Sequence, residues 1–398
     1  MISGAISNKE NSEPLPFASI TLKNHAVGTI SNESGKFDFY IPKSMRNDTL
    51  SISFIGFNTY EVPLTNITND LDIKLQPANN LLDEVLLTDM SPLDYIKKAI
   101  EKISENYPQE AYESIAYYRE KFLENGKIID KKEGIFKTYY YKAGDTIKNQ
   151  HQLLLYRPAE NPQKFQFMRE WIEEKQEKER KRAEKKGEEY KTEDEYDGTI
   201  DVDFGGPKSV IDLDINNGKG ENNFLNPKYY NKYEYTFGEE TYLNGEKLIT
   251  IYFKARKSID HIKDKGKILI SKENYAIISI ELTGKFNIPF IIKPILFAIG
   301  ISIKNPTFSQ VISYQNFKGL WYPKLFRWDA NVKLVKRHMF DTNENSSINI
   351  GQVFSINNIN MDPTGIPKEK IFEPNNKMED QVYNDTGLNW NEMNVVKD

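Results

Sequence analysis

Glu13-Pro14-Leu15-Pro16-Phe17-Ala18-Ser19-Ile20 and, further on, Gly28-Thr29-Ile30-Ser31-Asn32-Glu33-Ser34-Gly35-Lys36-Phe37 are the stretches whose reading decides the fold. Ala18, Ile20 and Leu22 alternate with polar neighbours, as do Phe37, Phe39 and Ile41. Leu50, Ile52 and Phe54 repeat the pattern, and so do Leu71, Ile73 and Leu75. Successive side chains of a strand point to opposite faces, so a period of two marks strands with one buried and one wet face. Asn24, Gly28, Ser34-Gly35, Asn47-Asp48 and Asn69-Asp70 interrupt the runs with turn residues. Several short strands at this spacing predict an antiparallel β-sandwich over residues 1–76.

A third stretch, Asp48-Thr49-Leu50-Ser51-Ile52-Ser53-Phe54-Ile55-Gly56-Phe57, follows the first two in order. Together the three motifs resemble the carboxypeptidase regulatory-like (transthyretin-like) domain. In that family the domain precedes many Gram-negative cell-envelope proteins, including the plugs of TonB-dependent receptors, and does not itself cleave peptides. The resemblance implies a periplasmic or outer-membrane-associated protein.

Residues 77–109 read as a linker, a short strand and a helix. Leu81-Leu82-Asp83-Glu84-Val85-Leu86-Leu87-Thr88 resembles the Leu-Asp-Glu-Val segment that often follows such domains, and also fits an ordinary edge strand. The helix begins at Ser91-Pro92, where serine caps and proline suits the first turn. Ile96, Ala99, Ile100 and Ile103 form its apolar stripe, and it ends near Tyr107-Pro108.

Strands are predicted again at 112–123, 134–142, 229–242, 246–257, 266–284, 307–322 and 324–337. Short turns such as Leu243-Asn244-Gly245-Glu246 make this an antiparallel meander, a curved sheet or half-barrel over 110–350. The run Gly266 to Ile277, then Val311 to Tyr314, then Gly319-Leu320-Trp321-Tyr322-Pro323 resembles the half-barrel family of periplasmic lipoprotein carriers. The fold class is therefore mainly β, a sandwich followed by a larger antiparallel sheet with a few helices. An insertion at 170–197 is nearly all charge. Its Glu174–Lys178 and Glu177–Lys181 spacings support an exposed helix, and a partner-binding arm is the second reading. Residues 351–398 read as an irregular tail.

The composition narrows the function. A net charge of −5 over 398 residues argues against a general nucleic-acid binder, which needs basic surface to displace counterions. The absence of cysteine excludes disulfides, thiolate metal sites and cysteine nucleophiles. No secretory leader is visible, because Met1 runs straight into the strand-like Ile2-Ser3-Gly4-Ala5-Ile6. His25, His151, His261 and His338 show no zinc-ligand spacing. The start of Asp212-Leu213-Asp214-Ile215-Asn216-Asn217 resembles a calcium loop. Asn217 stands where the turn glycine belongs and Asn223 where the closing glutamate belongs, so an Asn-Gly loop is the reading kept. Neither a nucleophile elbow nor a phosphate-binding loop occurs.

The most apolar run is Phe286-Asn287-Ile288-Pro289-Phe290-Ile291-Ile292-Lys293-Pro294-Ile295-Leu296-Phe297-Ala298-Ile299-Gly300-Ile301. Lys293 and two prolines argue against a membrane helix, which needs about 20 apolar residues. The run reads as two buried strands joined at Lys293-Pro294, as the apolar wall or lid of a pocket, or as a membrane-touching loop. Phe286, Phe290, Ile292, Leu296, Phe297 and Trp321 are the candidate contacts for a hydrophobic ligand. The expected function is a non-catalytic envelope binding protein, without cofactor, for a hydrophobic or lipid-like ligand or a lipidated partner. A structural or interaction protein of the outer-membrane face, with an envelope protein as partner, is the second reading, and a hydrolase the third.

Overall fold

The computed structural model describes all residues except 68–69, 79–88, 145, 168, 188–200, 213, 216–222, 288–295, 297–299, 338–341, 385–386 and 398. The Leu81–Thr88 segment and the middle of the calcium-like loop therefore lie outside the described residues.

The first domain holds β1 (Ile2–Asn8), β2 (Ser19–Leu22), β3 (Gly28–Ile30), β4 (Lys36–Phe39), β5 (Thr49–Ser53), β6 (Tyr60–Pro63) and β7 (Asp70–Leu75). They form two sheets, β4-β1-β7 and β3-β2-β5-β6. The alternating residues enclose the core between them: Ile20, Leu22, Phe37, Phe39, Leu50, Ile52, Ile73 and Leu75 are all buried. One pairing departs from the antiparallel expectation. β1 and β7 run parallel, with Ser3 opposite Asp70 and Asn8 opposite Leu75. These are the first and last strands of the domain, so the whole of the chain between them serves as the crossover that a parallel pair requires. Gly35 holds the turn into β4 at φ 73°, where a Cβ would stand 2.4 Å from the Ile6 carbonyl oxygen.

Helix α1 (Pro92–Glu101) starts as its sequence predicts, with the Ser91 side chain accepting from the Asp94 N–H. Helix α2 (Ile103–Asn106) follows, and Tyr95, Ile96 and Ala99 are buried.

The large sheet contains β8 (Tyr112–Glu124), β9 (Lys127–Ala143), β10 (Thr146–Pro158), β11 (Tyr233–Phe237), β12 (Thr241–Leu243), β13 (Glu246–Ala255), β14 (Ile262–Ser271), β15 (Ile277–Phe286), β16 (Ile301–Phe317), β17 (Leu320–Lys336) and β18 (Glu344–Asn360). Its order is β10-β9-β8-β18-β17-β16-β15-β14-β13-β11, with β12 beside β13; it is antiparallel throughout and not closed. Helix α3 (Arg169–Lys186) carries the charged insertion, and α4 (Lys208–Ile211) returns to the sheet.

Several expectations change. The stretch 229–242 opens in a 3-10 turn and holds the two short strands β11 and β12, and 307–322 spans the turn between β16 and β17. The stretch 266–284 is two strands, because Ser271 Oγ accepts from the N–H groups of Glu273 and Asn274 and turns the chain. Strand β10 was not anticipated. Nor was β18, whose Asn- and Ser-rich sequence has low strand propensity. It is nevertheless paired on both sides, by β17 and β8, so the irregular tail starts after Asn360 rather than at 351.

Each face of the large sheet has its own cover. On the inner face Tyr112, Tyr118, Phe136, Tyr140, Phe326 and Phe354 pack into one cluster with residues of α1 and α4. On the outer face Tyr117, Ile135, Leu154, Leu325 and Val353 pack against Ile30 of the sandwich and Val396 of the tail. A few ionisable groups are buried as well. His151 Nδ1 lies 3.0 Å from Thr138 Oγ1, and burial pulls its pKa down to about 3, so the imidazole is neutral.

Candidate functional site, the cleft between sandwich and sheet

Because Ile20, Leu22, Leu50 and Ile52 point into the sandwich core, their neighbours Ser19, Thr21, Ser51 and Ser53 face outward. The outer face of the large sheet lies opposite and presents Lys267, Glu281, Val311, Ser313, Leu325 and Arg327. Between the two faces is a cleft of about 640 Å³. Phe17, Phe54, Ile55, Val311, Trp321 and Leu325 supply its apolar lining.

Contacts at both ends hold the cleft open at a set width. The Arg327 guanidinium sits 4.6 Å over the Phe17 ring and reaches Glu33 at 3.3 Å. Gly56 N–H donates to the Tyr242 carbonyl at 2.9 Å, and Ile359 N–H donates to the Ala26 carbonyl at 3.0 Å. These hydrogen bonds join sandwich loops to two separate regions of the sheet.

The charges lining the cleft are nearly all paired. Lys267 meets Glu281 at 3.1 Å, Lys23 meets Glu61 at 2.7 Å, and His25 Nδ1 lies 2.6 Å from Asp48. Arg327 also meets Asp329 at 2.6 Å. Lys324 differs, since no carboxylate and no hydrogen-bond acceptor partners it among the described residues. It owes its position to a β-bulge. Ser313 pairs with Leu325 and Tyr314 with Pro323, which leaves Lys324 as the extra residue. Part of its surface is open to the cleft, yet protein surrounds it closely enough that burial lowers its pKa to about 7.

The residues singled out from sequence are dispersed. Trp321 is buried and lines the cleft, and its indole N–H has no partner among the described residues. Phe286 packs on Phe308, midway along β16, with ring centroids 4.7 Å apart. Trp321 pairs with Asn316 and Lys285 with Thr307. Nine strand steps of ~3.3 Å therefore put about 30 Å between the two places. Leu296 is half-buried. Phe290, Ile292 and Phe297 lie outside the described residues. The sequence reading missed Lys324, Phe17 and the outward serines of β2 and β5. Pro323 was the available signal, because a proline inside a strand is confined to edges and bulges.

The comparisons with known proteins bear on the first domain. Residues 2–87 match the model of the CarboxypepD_reg-like domain. The TonB-dependent receptor P3 of Formosa agariphila is 31% identical over 86 residues, which make up 22% of this chain and 8% of that receptor. The chain thus spans a small fraction of the length of the curated relative it matches. Among solved structures, a DUF1329 family protein from Desulfovibrio piger is 11% identical, covering 70% of this chain and 96% of its own at a TM-score of 0.27. A putative outer membrane lipoprotein-sorting protein domain from Vibrio parahaemolyticus is also 11% identical, covering 69% and 94% at a TM-score of 0.22. At such scores neither likeness bears on function.

Proposed function

We propose that this chain is a non-catalytic binding protein of the cell envelope, which holds a hydrophobic or lipid-like ligand in the cleft between sandwich and sheet. The observation that carries the reading is the cleft itself, a space of about 640 Å³ between the two domains, whose lining joins apolar side chains such as Phe17, Phe54, Val311 and Leu325 to serines, threonines and charged groups. Clefts at domain boundaries with mostly apolar walls and a few polar groups are the usual form of small-ligand sites. Burial of an acyl chain there contributes about 25 cal/mol per Å² of apolar area. The envelope location is supported by the CarboxypepD_reg-like match and by the receptor relative. The non-catalytic reading is supported by the fate of the cleft's carboxylates, Glu61 and Glu281, each of which is held by a lysine.

The test is native mass spectrometry of the purified protein beside organic extraction of bound lipid. An acyl-chain species should accompany the wild type and be lost from Val311→Asp, which puts a charge on the cleft wall. A wild type that stays bare after incubation with envelope lipids refutes the reading.

Helix α3 favours a second reading, an interaction protein of the envelope. It is solvent-exposed along most of its length and carries i,i+4 side-chain pairs along itself, such as Lys181 with Glu177 at 2.7 Å. A stable complex captured from envelope extract, and lost on removing α3, would favour it.

A further inference from the structure

The acidic and basic side chains that line the cleft are Lys23 and His25 from the turn after β2, Glu61 from β6, Lys267 from β14, Glu281 from β15, and Lys324 and Arg327 from β17. Lys23, Glu61, Lys267, Glu281 and Arg327 are in ion pairs of 3.3 Å or less, and the His25 ring is hydrogen-bonded to Asp48 at 2.6 Å. The hydroxyls of Ser19, Ser51, Ser53 and Ser313 line the same space and make no hydrogen bond among the described residues. Thr21 Oγ1, by contrast, donates to the Ser51 carbonyl. Removing an ammonium from water without a partner is unfavourable, and so is removing a hydroxyl. A cleft that gathers one unpaired cation and four unengaged donors beside an apolar wall is complementary to an anion with an apolar tail.

Resting on the binding reading above, we propose that the cleft takes the oxyanion head of an amphipathic molecule, a carboxylate or a phosphate, with the Lys324 ammonium as its ion-pair partner, the free serine hydroxyls as neighbouring donors and the apolar tail along Val311 and Leu325. Binding then carries a proton linkage. The empty site holds Lys324 at a pKa of about 7, and an anion beside it raises that value. Below pH 7 the lysine is already charged. Above it, binding draws a proton from solvent, and affinity for the anion falls as pH rises.

Calorimetric titration of the whole protein tests this with dodecanoate, lauroyl lysophosphatidate, uncharged monolauroylglycerol and inorganic phosphate, at pH 6 and pH 9. At pH 6 the amphiphilic anions should bind at least about tenfold tighter than monolauroylglycerol, the equivalent of one charge-assisted contact. That excess should shrink by about tenfold by pH 9, with proton uptake seen as a buffer-dependent heat. Lys324→Met should abolish the excess and keep the affinity for monolauroylglycerol, which also shows that the variant is folded. The larger excess, for dodecanoate or for lysophosphatidate, names the head group. Equal binding of charged and neutral amphiphiles by the wild type overturns the proposal and leaves the hydrophobic-ligand reading standing, as does an excess that survives Lys324→Met. Inorganic phosphate binding as tightly as the amphiphiles overturns the tail. Failure of every amphiphile to bind refutes the binding reading itself.

Discussion

Between pH 7 and 10.5 the folded chain holds fewer protons on Lys324 than the unfolded chain does, because the folded pKa is about 7 and the ordinary value 10.5. Stability rises with pH wherever the unfolded state binds more protons. The buried ammonium therefore destabilises the empty protein fully below pH 7, and the cost fades as pH climbs towards 10.5. Lys324→Met should be more stable than wild type at pH 6 by several degrees in Tm, with the gap closing at pH 10; a gap that does not change with pH excludes Lys324 as its source. Glu120 behaves in the opposite sense. Burial pushes its pKa up to about 7, against the favourable hydrogen bond from Tyr118 Oη at 2.6 Å and Lys132 at 4.0 Å. The folded state then holds the extra proton between pH 4.5 and 7, and wild-type stability is lost as pH rises through that window. Glu120→Gln keeps an acceptor for Tyr118 and removes the charge. Urea denaturation should show the variant close to wild type at pH 4 and more stable at pH 8.

At the scale of elements, β18 and α3 make a contrast in what holds a segment in place. Strand β18 has poor strand propensity and is held by two neighbours, with Trp328 opposite Gln352 on one side and Glu120 opposite Gln352 on the other. Helix α3 has local pairs along its exposed surface, Glu177–Lys181 at 2.7 Å and Glu174–Lys178 at 3.5 Å. Such exposed pairs are worth about 0.3–0.5 kcal/mol each, so α3 contributes little to the stability of the whole. Replacing residues 169–186 with a Gly-Ser linker should shift Tm by less than about 2 °C and leave amphiphile affinity unchanged. A drop of ten degrees would show that the arm packs against the body.

At the scale of the whole molecule, the tail fastens the sandwich to the sheet. Tyr40 N–H donates to Asn394 Oδ1 at 2.7 Å, Lys397 pairs with Asp38 at 2.5 Å, and Arg119 Nη1 donates to the Val396 carbonyl at 3.0 Å. Val396 is buried in the outer-face cluster with Ile30 of the sandwich. Burial of one such side chain stabilises by about 1.5–3 kcal/mol, and the ion pair adds to it. Ending the chain at Gly387 removes all four contacts. Differential scanning calorimetry should then resolve two transitions in place of one, and amphiphile affinity should fall as the cleft loses its fixed width. A single transition at the wild-type temperature would show that the loops alone hold the domains.

The sandwich was legible because its information is local. A period of two needs only neighbouring residues to declare which face is buried, and Ile20, Leu50 and Ile52 are all fully buried where the alternation places them. Ser91-Pro92 declared the start of α1 in the same way. The strand composition of the larger domain was also readable, as was the charged helix. Strand β18 was not, since its stability comes from partners far away in sequence. The cleft was not legible either. Its walls belong to residues 16–61 and 243–327, and the outward face of β2 and β5 looks in sequence like any solvated face. Whether an alternate residue meets water or another domain is decided by docking, which no local period records. Lys324 became distinctive only when folding enclosed it and paired every other charge around it.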